Sequence, residues 1–298
     1  MLNKGFFAIL MSAMILGICG VLIHFLGIYF SVYEQVILRS VVVLILSIGM
    51  MWWSWTSRSL RSLSLPWFIA FIIIYPLNVI FFTRSVILVN PLVSIFLLFV
   101  GSIVATFIVW KIFFDEKTYL VHWVSLVLCL VWFAVFAQIW DFSQSILLLV
   151  PGLLSWISEG IVHAARRGMG QYSRYLVMSY QFSFVIVVCV VAQFLIWWFD
   201  LWVIANVPWM IWLYGLLFGL LLFVTSWLLL YGFRHYDVNK WTVVFSSEIL
   251  FVLLFNLRIL SIYPSIYQII WVVFVTLAMT LPVLYKHPDN ISTVEVPL

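Results

Sequence analysis

The chain has 298 residues, of which 66% are apolar and 8% charged, and its formal net charge is +4. A soluble protein of this length needs far more charge to cover its surface. That excludes a soluble domain, and it makes the excess of Lys and Arg a statement about membrane topology, not about nucleic acid.

Apolar stretches of about 17–25 residues are long enough to cross a bilayer as helices. Ten are expected, near residues 5–28, 33–55, 66–85, 90–112, 118–139, 146–165, 175–199, 208–231, 240–261 and 264–285. The first span opens on Asn3-Lys4, lacks a small-residue cleavage site and is followed by nine more, so it reads as a retained helix. The tail from Lys286 to Leu298 carries no lipidation or retrieval signal. Cys19, Cys129 and Cys189 all fall inside apolar spans, unclustered, and read as packed thiols. No cofactor and no metal site is expected.

With the N-terminus in the cytoplasm, eleven of the 14 basic residues fall on the cytoplasmic side. Arg58, Arg61, Arg166, Arg167 and Arg174 carry most of that bias. Asp141 and Asp200 then fall in external loops. The positive-inside rule chooses this orientation, with both termini cytoplasmic. Trp52, Trp53, Trp55, Trp197, Trp198, Trp202 and Trp209 lie near span ends, where indole rings anchor at the interface.

Ten spans divide into five and five, giving units 1–145 and 146–298. An odd-numbered unit repeated once must insert its second copy upside down, the inverted-topology repeat of many secondary transporters. The expected fold is therefore an all-α integral membrane protein of ten transmembrane helices in two inverted five-helix repeats.

Several local runs fit a known family. Phe113-Phe114-Asp115-Glu116-Lys117-Thr118 closes the fourth span, and Gln35-Val36-Ile37-Leu38-Arg39-Ser40 opens the second. Gly152 to Arg167, with Trp156 and a His163-Ala-Ala-Arg-Arg ending, forms the sixth, and Ser246-Ser247-Glu248 lies in the ninth. Together these resemble the EamA-type transporters of the drug/metabolite transporter superfamily over nearly the whole chain. Ile262 stands where that family has a second Glu, before Tyr263-Pro264-Ser265 and Gln268. Superposing Glu116 on Ile262 pairs Ser102 with Glu248.

Ionisable groups inside spans cost roughly 2.5–3.5 kcal/mol each on insertion scales, so such residues face a partner or a water-filled cavity. Arg39, six residues inside the second span, either recognises a carboxylate or phosphate in an outer vestibule or snorkels to the outer headgroups. Arg84 and Arg258 read as snorkelling. Glu248, near the middle of the ninth span, is too short to snorkel. It is a candidate for binding a substrate amine or carrying protons. Glu159 is a second coupling candidate, with an ion pair to Arg166 or Arg167 as the structural alternative. Tyr75-Pro76-Leu77-Asn78 places a helix breaker and an amide in mid-membrane, where transporters build sites, with a tolerated kink that touches no ligand as the alternative. Arg39, Tyr75, Asn78, Trp241 and Glu248 are the expected substrate-binding residues. Tyr29, Tyr180, Trp227 and Tyr231 are further cavity candidates, while His24, Gln181 and Gln193 are other polar groups within spans. His122, His163 and His235 lie far apart, without clustered acids.

The expected function is secondary transport of a small organic metabolite, amino acid-like or nucleobase-like, by alternating access in a bacterial inner (plasma) membrane. No G-x-x-x-x-G-K-[ST] loop supplies nucleotide energy. The expected partners are the solute and the lipid bilayer, with a homodimer left open and no nucleic acid. A non-transporting membrane partner protein and an intramembrane enzyme are the rival classes. No H-E-x-x-H or G-x-S-x-G supports the enzyme.

Overall fold

The computed structural model describes residues 4–54, 65–89, 91–95, 97–98, 123–124, 127–128, 131, 150–169, 173–196, 207–235, 238–261, 263–266, 269–270, 272–274 and 276–277. Its long helices are α1 (Lys4–Leu26), α2 (Val32–Ser54), α3 (Leu65–Leu88), α4 (Val150–Gly168), α5 (Arg174–Ile196), α6 (Trp209–His235) and α7 (Val238–Phe255). A π-turn, Asn256–Leu260, extends α7 and ends at Ser261, whose φ of 53° turns the chain out of the helix. There is no strand among the described residues.

Five of these helices are long and apolar enough to cross a membrane: α1, α2 over Val32–Trp53, α3, α5 over Arg174–Leu195, and α6 over Trp209–Gly232. Helix α4 is 19 residues and α7 is 18. Helix α4 is amphipathic because Ser155, Ser158, Glu159, His163 and Arg166 share its buried side. The observed helices follow the expected spans within a few residues. The expected spans at 90–112, 118–139 and 264–285 lie mostly outside the described residues. So do the 113–118 run, Ser102, Cys129, Asp141, Asp200, Ile262, Gln268, the tail and the proposed boundary at 145–146.

Helix starts follow local chemistry. Ser31 and Glu34 form a reciprocal capping box ahead of α2. The Glu34 amide donates to Ser31 Oγ at 3.3 Å and the Ser31 amide to Glu34 Oε2 at 2.8 Å. Pro66 and Pro151 sit in the first turns of α3 and α4, where no backbone donor is needed. The sequence leaves a broken helix or a tolerated kink open at Pro76, and α3 runs through it from Leu65 to Leu88 with Tyr75 and Pro76 both buried.

Helix α3 packs most extensively on α4, α1 on α6 and α7, and α2 on α5 and α6. Two cores result. Val36, Val43, Phe71, Tyr75, Val162, Phe182 and Cys189 join α2, α3, α4 and α5. Ile15, Cys19, Ile23, Val86, Ile211 and Phe218 join α1, α3 and α6. The side chains of Trp52 and Trp53 are 77% and 89% exposed at the end of α2, as interfacial rings should be.

The α2–α6 seam is set by Gly215 and Gly219. A Cβ on Gly215 would meet the end of the flexible Leu38 side chain. A Cβ on Gly219 would stand 2.5 Å from Val42 Cβ. A β-branched side chain cannot rotate its own Cβ away. Small residues four apart are the usual means of bringing two membrane helices close.

Gly219→Ala should therefore lower stability by about 1–3 kcal/mol through overpacking, despite alanine's better helix propensity. Gly49→Ala, with nothing within 4 Å of the new methyl group, should be neutral or slightly stabilising. Thermal melts of the two detergent-purified variants check the contrast.

Candidate functional site

The two cores leave a cavity of about 90 Å³ between them, with room for several waters or a small solute. Helices α1, α2, α3, α4, α6 and α7 all contribute to its wall. Arg39, Tyr75, Asn78, Glu159, Arg166 and Glu248 are its polar landmarks. Leu16, Ile23, Val79, Leu98, Leu222 and Leu229 supply most of the apolar lining. Of the site residues expected from the sequence, Arg39, Tyr75, Asn78, Glu159 and Glu248 line the cavity, and Trp241 is not among the residues whose side chains are described.

Arg39 points inward and is 3% exposed. Its Nη2 donates to Thr83 Oγ1 at 2.6 Å, and the Thr83 hydroxyl in turn donates to the Val79 carbonyl at 2.7 Å. The guanidinium carbon sits 4.6 Å from the centre of the Phe218 ring. Its Nε has no hydrogen-bond partner. Among the described residues no carboxylate lies within 4.0 Å of it. Snorkelling is thus excluded for Arg39, whereas Arg84 and Arg258 are exposed, as snorkelling requires.

Glu248 is 2% exposed, and its Oε2 has no partner. The Thr225 hydroxyl, on the same wall, is also unpartnered. Three residues of this wall, from three helices, thus each carry an orphaned polar atom. A buried polar atom without a partner costs about 1–3 kcal/mol, and more when charged.

The inner cluster is different, because it is closed. His163 Nε2 lies 3.0 Å from Glu159 Oε1, Arg166 Nη1 lies 3.4 Å from the same oxygen, and Arg166 Nη1 is 3.2 Å from His163 Nδ1. An arginine nitrogen can only donate, so His163 Nδ1 accepts and its Nε2 carries the proton given to Glu159. The i, i+4 and i, i+7 spacing puts all three on one face of α4. His163 was expected to lie without nearby clustered acids; one acid, Glu159, meets it along its own helix face. Asn78 ties the same helix to α3, its Nδ2 donating to the Ser155 carbonyl at 2.9 Å and to Ser158 Oγ at 3.3 Å.

The aromatic expectations need revision. Tyr180 is half exposed. Trp227 and Tyr231 stack at 5.7 Å, with Arg174 over both rings, away from the cavity. Tyr29 packs on Phe25. The rings that do line the cavity are Tyr75, Phe82 and Phe218. Thr83, Phe218 and Thr225 were missed from sequence because nothing in their own helices marks them. The Gly215/Gly219 pair was the available signal for Phe218, since it shows which face of α6 meets α2.

No family model matches this chain, and no curated protein sequence matches it significantly. Among solved structures it is similar to a chain described only as "Crystal structure of protein". The TM-score is 0.67 over 94% of this chain and 95% of that one, at 14% identity. That likeness is one of overall fold.

The geometry separates structural from unsatisfied charge. Glu159→Leu removes the acid from the closed cluster on α4 and should cost about 3–5 kcal/mol. Arg84→Gln and Arg258→Gln, at exposed positions, should change stability by no more than about 0.5 kcal/mol. Melting of the three purified variants tests the ranking.

Proposed function

We propose that this chain is a secondary transporter of the EamA type, moving a small organic metabolite across a bacterial inner membrane by alternating access. The observation that carries the reading is the central cavity. It collects Arg39, Glu248 and Thr225, each with an unpartnered atom, in the middle of an apolar helical bundle. A protein whose only task is to sit in a membrane has no use for a buried, uncompensated guanidinium. A merely structural partner protein would instead turn such residues into closed pairs or away from the interior.

Helix pairing supports ten spans in two inverted repeats. Exchange α1 with α4, α2 with α5 and α3 with α6, as the repeat demands. The α3–α4 pair becomes α6–α1, α2–α6 becomes α5–α3, α2–α3 becomes α5–α6, and α1–α3 becomes α4–α6. The α2–α5 pair maps onto itself. Every one of these pairs is in contact. A two-fold relation of this kind, with five spans per half, has its axis in the membrane plane. On this reading both termini are cytoplasmic and the amphipathic α4 crosses the bilayer shielded by α3, its charged face turned inward.

Two measurements test the proposal. In a background without native cysteines, Ile28→Cys should react with an impermeant thiol reagent from outside, and Trp53→Cys only from inside. Labelling of Trp53→Cys from outside defeats the orientation. In proteoliposomes, a panel of labelled metabolites should yield at least one saturable substrate. If Glu248 carries protons, Glu248→Gln should abolish uptake driven by a pH gradient while exchange of that substrate continues. If Glu248 binds the substrate, both should fall together. Failure of folded, reconstituted protein to move any solute defeats the transport reading.

A further inference from the structure

We propose that Arg39 holds a resident halide ion, chloride in the cell, at its Nε–H, with the side-chain amide N–H of Gln35 as a second donor. This goes beyond the transport reading and does not depend on it, because a buried guanidinium needs a counter-ion whether or not a solute is carried.

A guanidinium inside an apolar bundle calls for an anion. Among the described residues Arg39 meets the Thr83 hydroxyl and the Phe218 ring. Both are neutral and cannot cancel its charge. The acids are engaged elsewhere or stand apart. Glu34, the nearest on α2, accepts from the Ser31 amide at the start of that helix. Glu159 is held by His163 and Arg166, and Glu248 makes no ion pair with Arg39. The place for an anion follows from what is already occupied. Phe218 covers one face of the guanidinium, whose N–H groups point outward in the plane. Nη2 is spent on Thr83, and the Thr83 proton goes to the Val79 carbonyl. Nε has no partner. One turn earlier on α2, Gln35 is 1% exposed and both atoms of its amide are without partners. Residues four apart are neighbours on one helix face, so the two orphaned donors share a face within a turn of each other. The Gln35 carbonyl turned onto Nε would answer a hydrogen bond, but not the charge, and would leave the amide N–H orphaned.

Charge and shape then select the ion. One guanidinium balances one negative charge, so sulfate or phosphate would leave a net anion buried beside Val79, Phe218 and Leu222. A carboxylate prefers two parallel N–H groups of the fork, and Thr83 already holds one of the nitrogens. A spherical monovalent ion needs no fork, and the cavity of about 90 Å³ that Arg39 lines has room for it. The guanidinium is buried in the solute-free protein too, so its counter-ion must be one that is always present.

Purified full-length protein in detergent is exchanged into sodium gluconate and titrated, at constant ionic strength, with sodium chloride, bromide, acetate and sulfate. Chloride and bromide should raise the melting temperature saturably by about 2–5 °C, as binding to the folded state alone requires. Acetate and sulfate should give less than about half of that shift. Gln35→Leu should weaken the halide about tenfold, the usual effect of losing a hydrogen bond to a charged group. Arg39→Gln should remove the halide response while melting in gluconate no lower than the unaltered protein. Gln35→Glu supplies a carboxylate four residues before Arg39, the favourable order for such a pair. It should melt in gluconate where the unaltered protein melts in chloride, with no further response to halide. Crystals soaked in bromide should show anomalous density beside Arg39 Nε. The proposal is overturned if the unaltered protein ignores halide, if Arg39→Gln keeps the full chloride shift, or if acetate matches chloride, which would mark a carboxylate site instead. If Arg39→Gln fails to fold, Gln35→Glu decides: an undiminished chloride response there also overturns it.

Discussion

A guanidinium buried in an apolar bundle needs either a route to water or a partner, and Arg39 has neither a full set of partners nor a way out. Much of the inner architecture is arranged around that condition. Helix α2 carries it inward. Helix α6 comes close because Gly215 and Gly219 have no side chains, and this brings Phe218 beneath the guanidinium. The face of an aromatic ring is the one apolar surface that attracts a cation, by roughly 2 kcal/mol or more when water is excluded. Helix α3 adds Thr83, whose hydroxyl accepts from Arg39 and donates to the Val79 carbonyl one turn earlier. These contacts orient the head group without neutralising it.

The contrast with α4 shows why that matters. Glu159, His163 and Arg166 answer one another within two turns of a single helix, and Asn78 clips that helix to α3. A polar network satisfied from within fixes a unique packing and has little left to give a ligand. Both Glu159 and Glu248 line the same cavity, and both are carboxylates buried among helices. Only the second still has an oxygen in need of a donor. Position in the membrane marked both residues. The difference between them lies in their neighbours.

That is also where sequence reading reaches its limit. Hydropathy placed α1, α2, α3, α5 and α6 within a few residues, because the period and length of apolar runs follow directly from bilayer thickness. The rarity of charge within spans pointed to Arg39, Glu159 and Glu248, and all three line the cavity. What could not be read was direction. An arginine one or two turns inside a span can snorkel outward or turn inward, and the choice for Arg39 is made by Phe218 and Thr83 on two other helices. Pro76 leaves a break or a tolerated kink open when its helix is considered alone, and α3 runs through it. The Glu159–His163 pair is a different kind of miss. Its i, i+4 spacing is legible in the sequence, but the two side chains meet only because 150–168 is one continuous helix face.

The pairing of helices is close to symmetric under exchange of the two halves, but the polar groups of the cavity are not. Arg39 comes from α2 and Glu248 from α7, at positions the proposed repeat does not relate. On the transport reading this division has a physical use. A symmetric scaffold offers two packings of nearly equal free energy, one open to each side, since each is the other turned over. Passage between them runs through a closed intermediate, in which a charge left without a partner costs at least as much as a buried unpaired polar atom. A counter-ion held by Arg39 would travel with its helix and remove that cost from both packings. Glu248 is then the carboxylate whose partner changes, so a solute or a proton has one group to satisfy instead of two. Movement would rest on the requirement that nothing charged remain alone in the middle of the bundle.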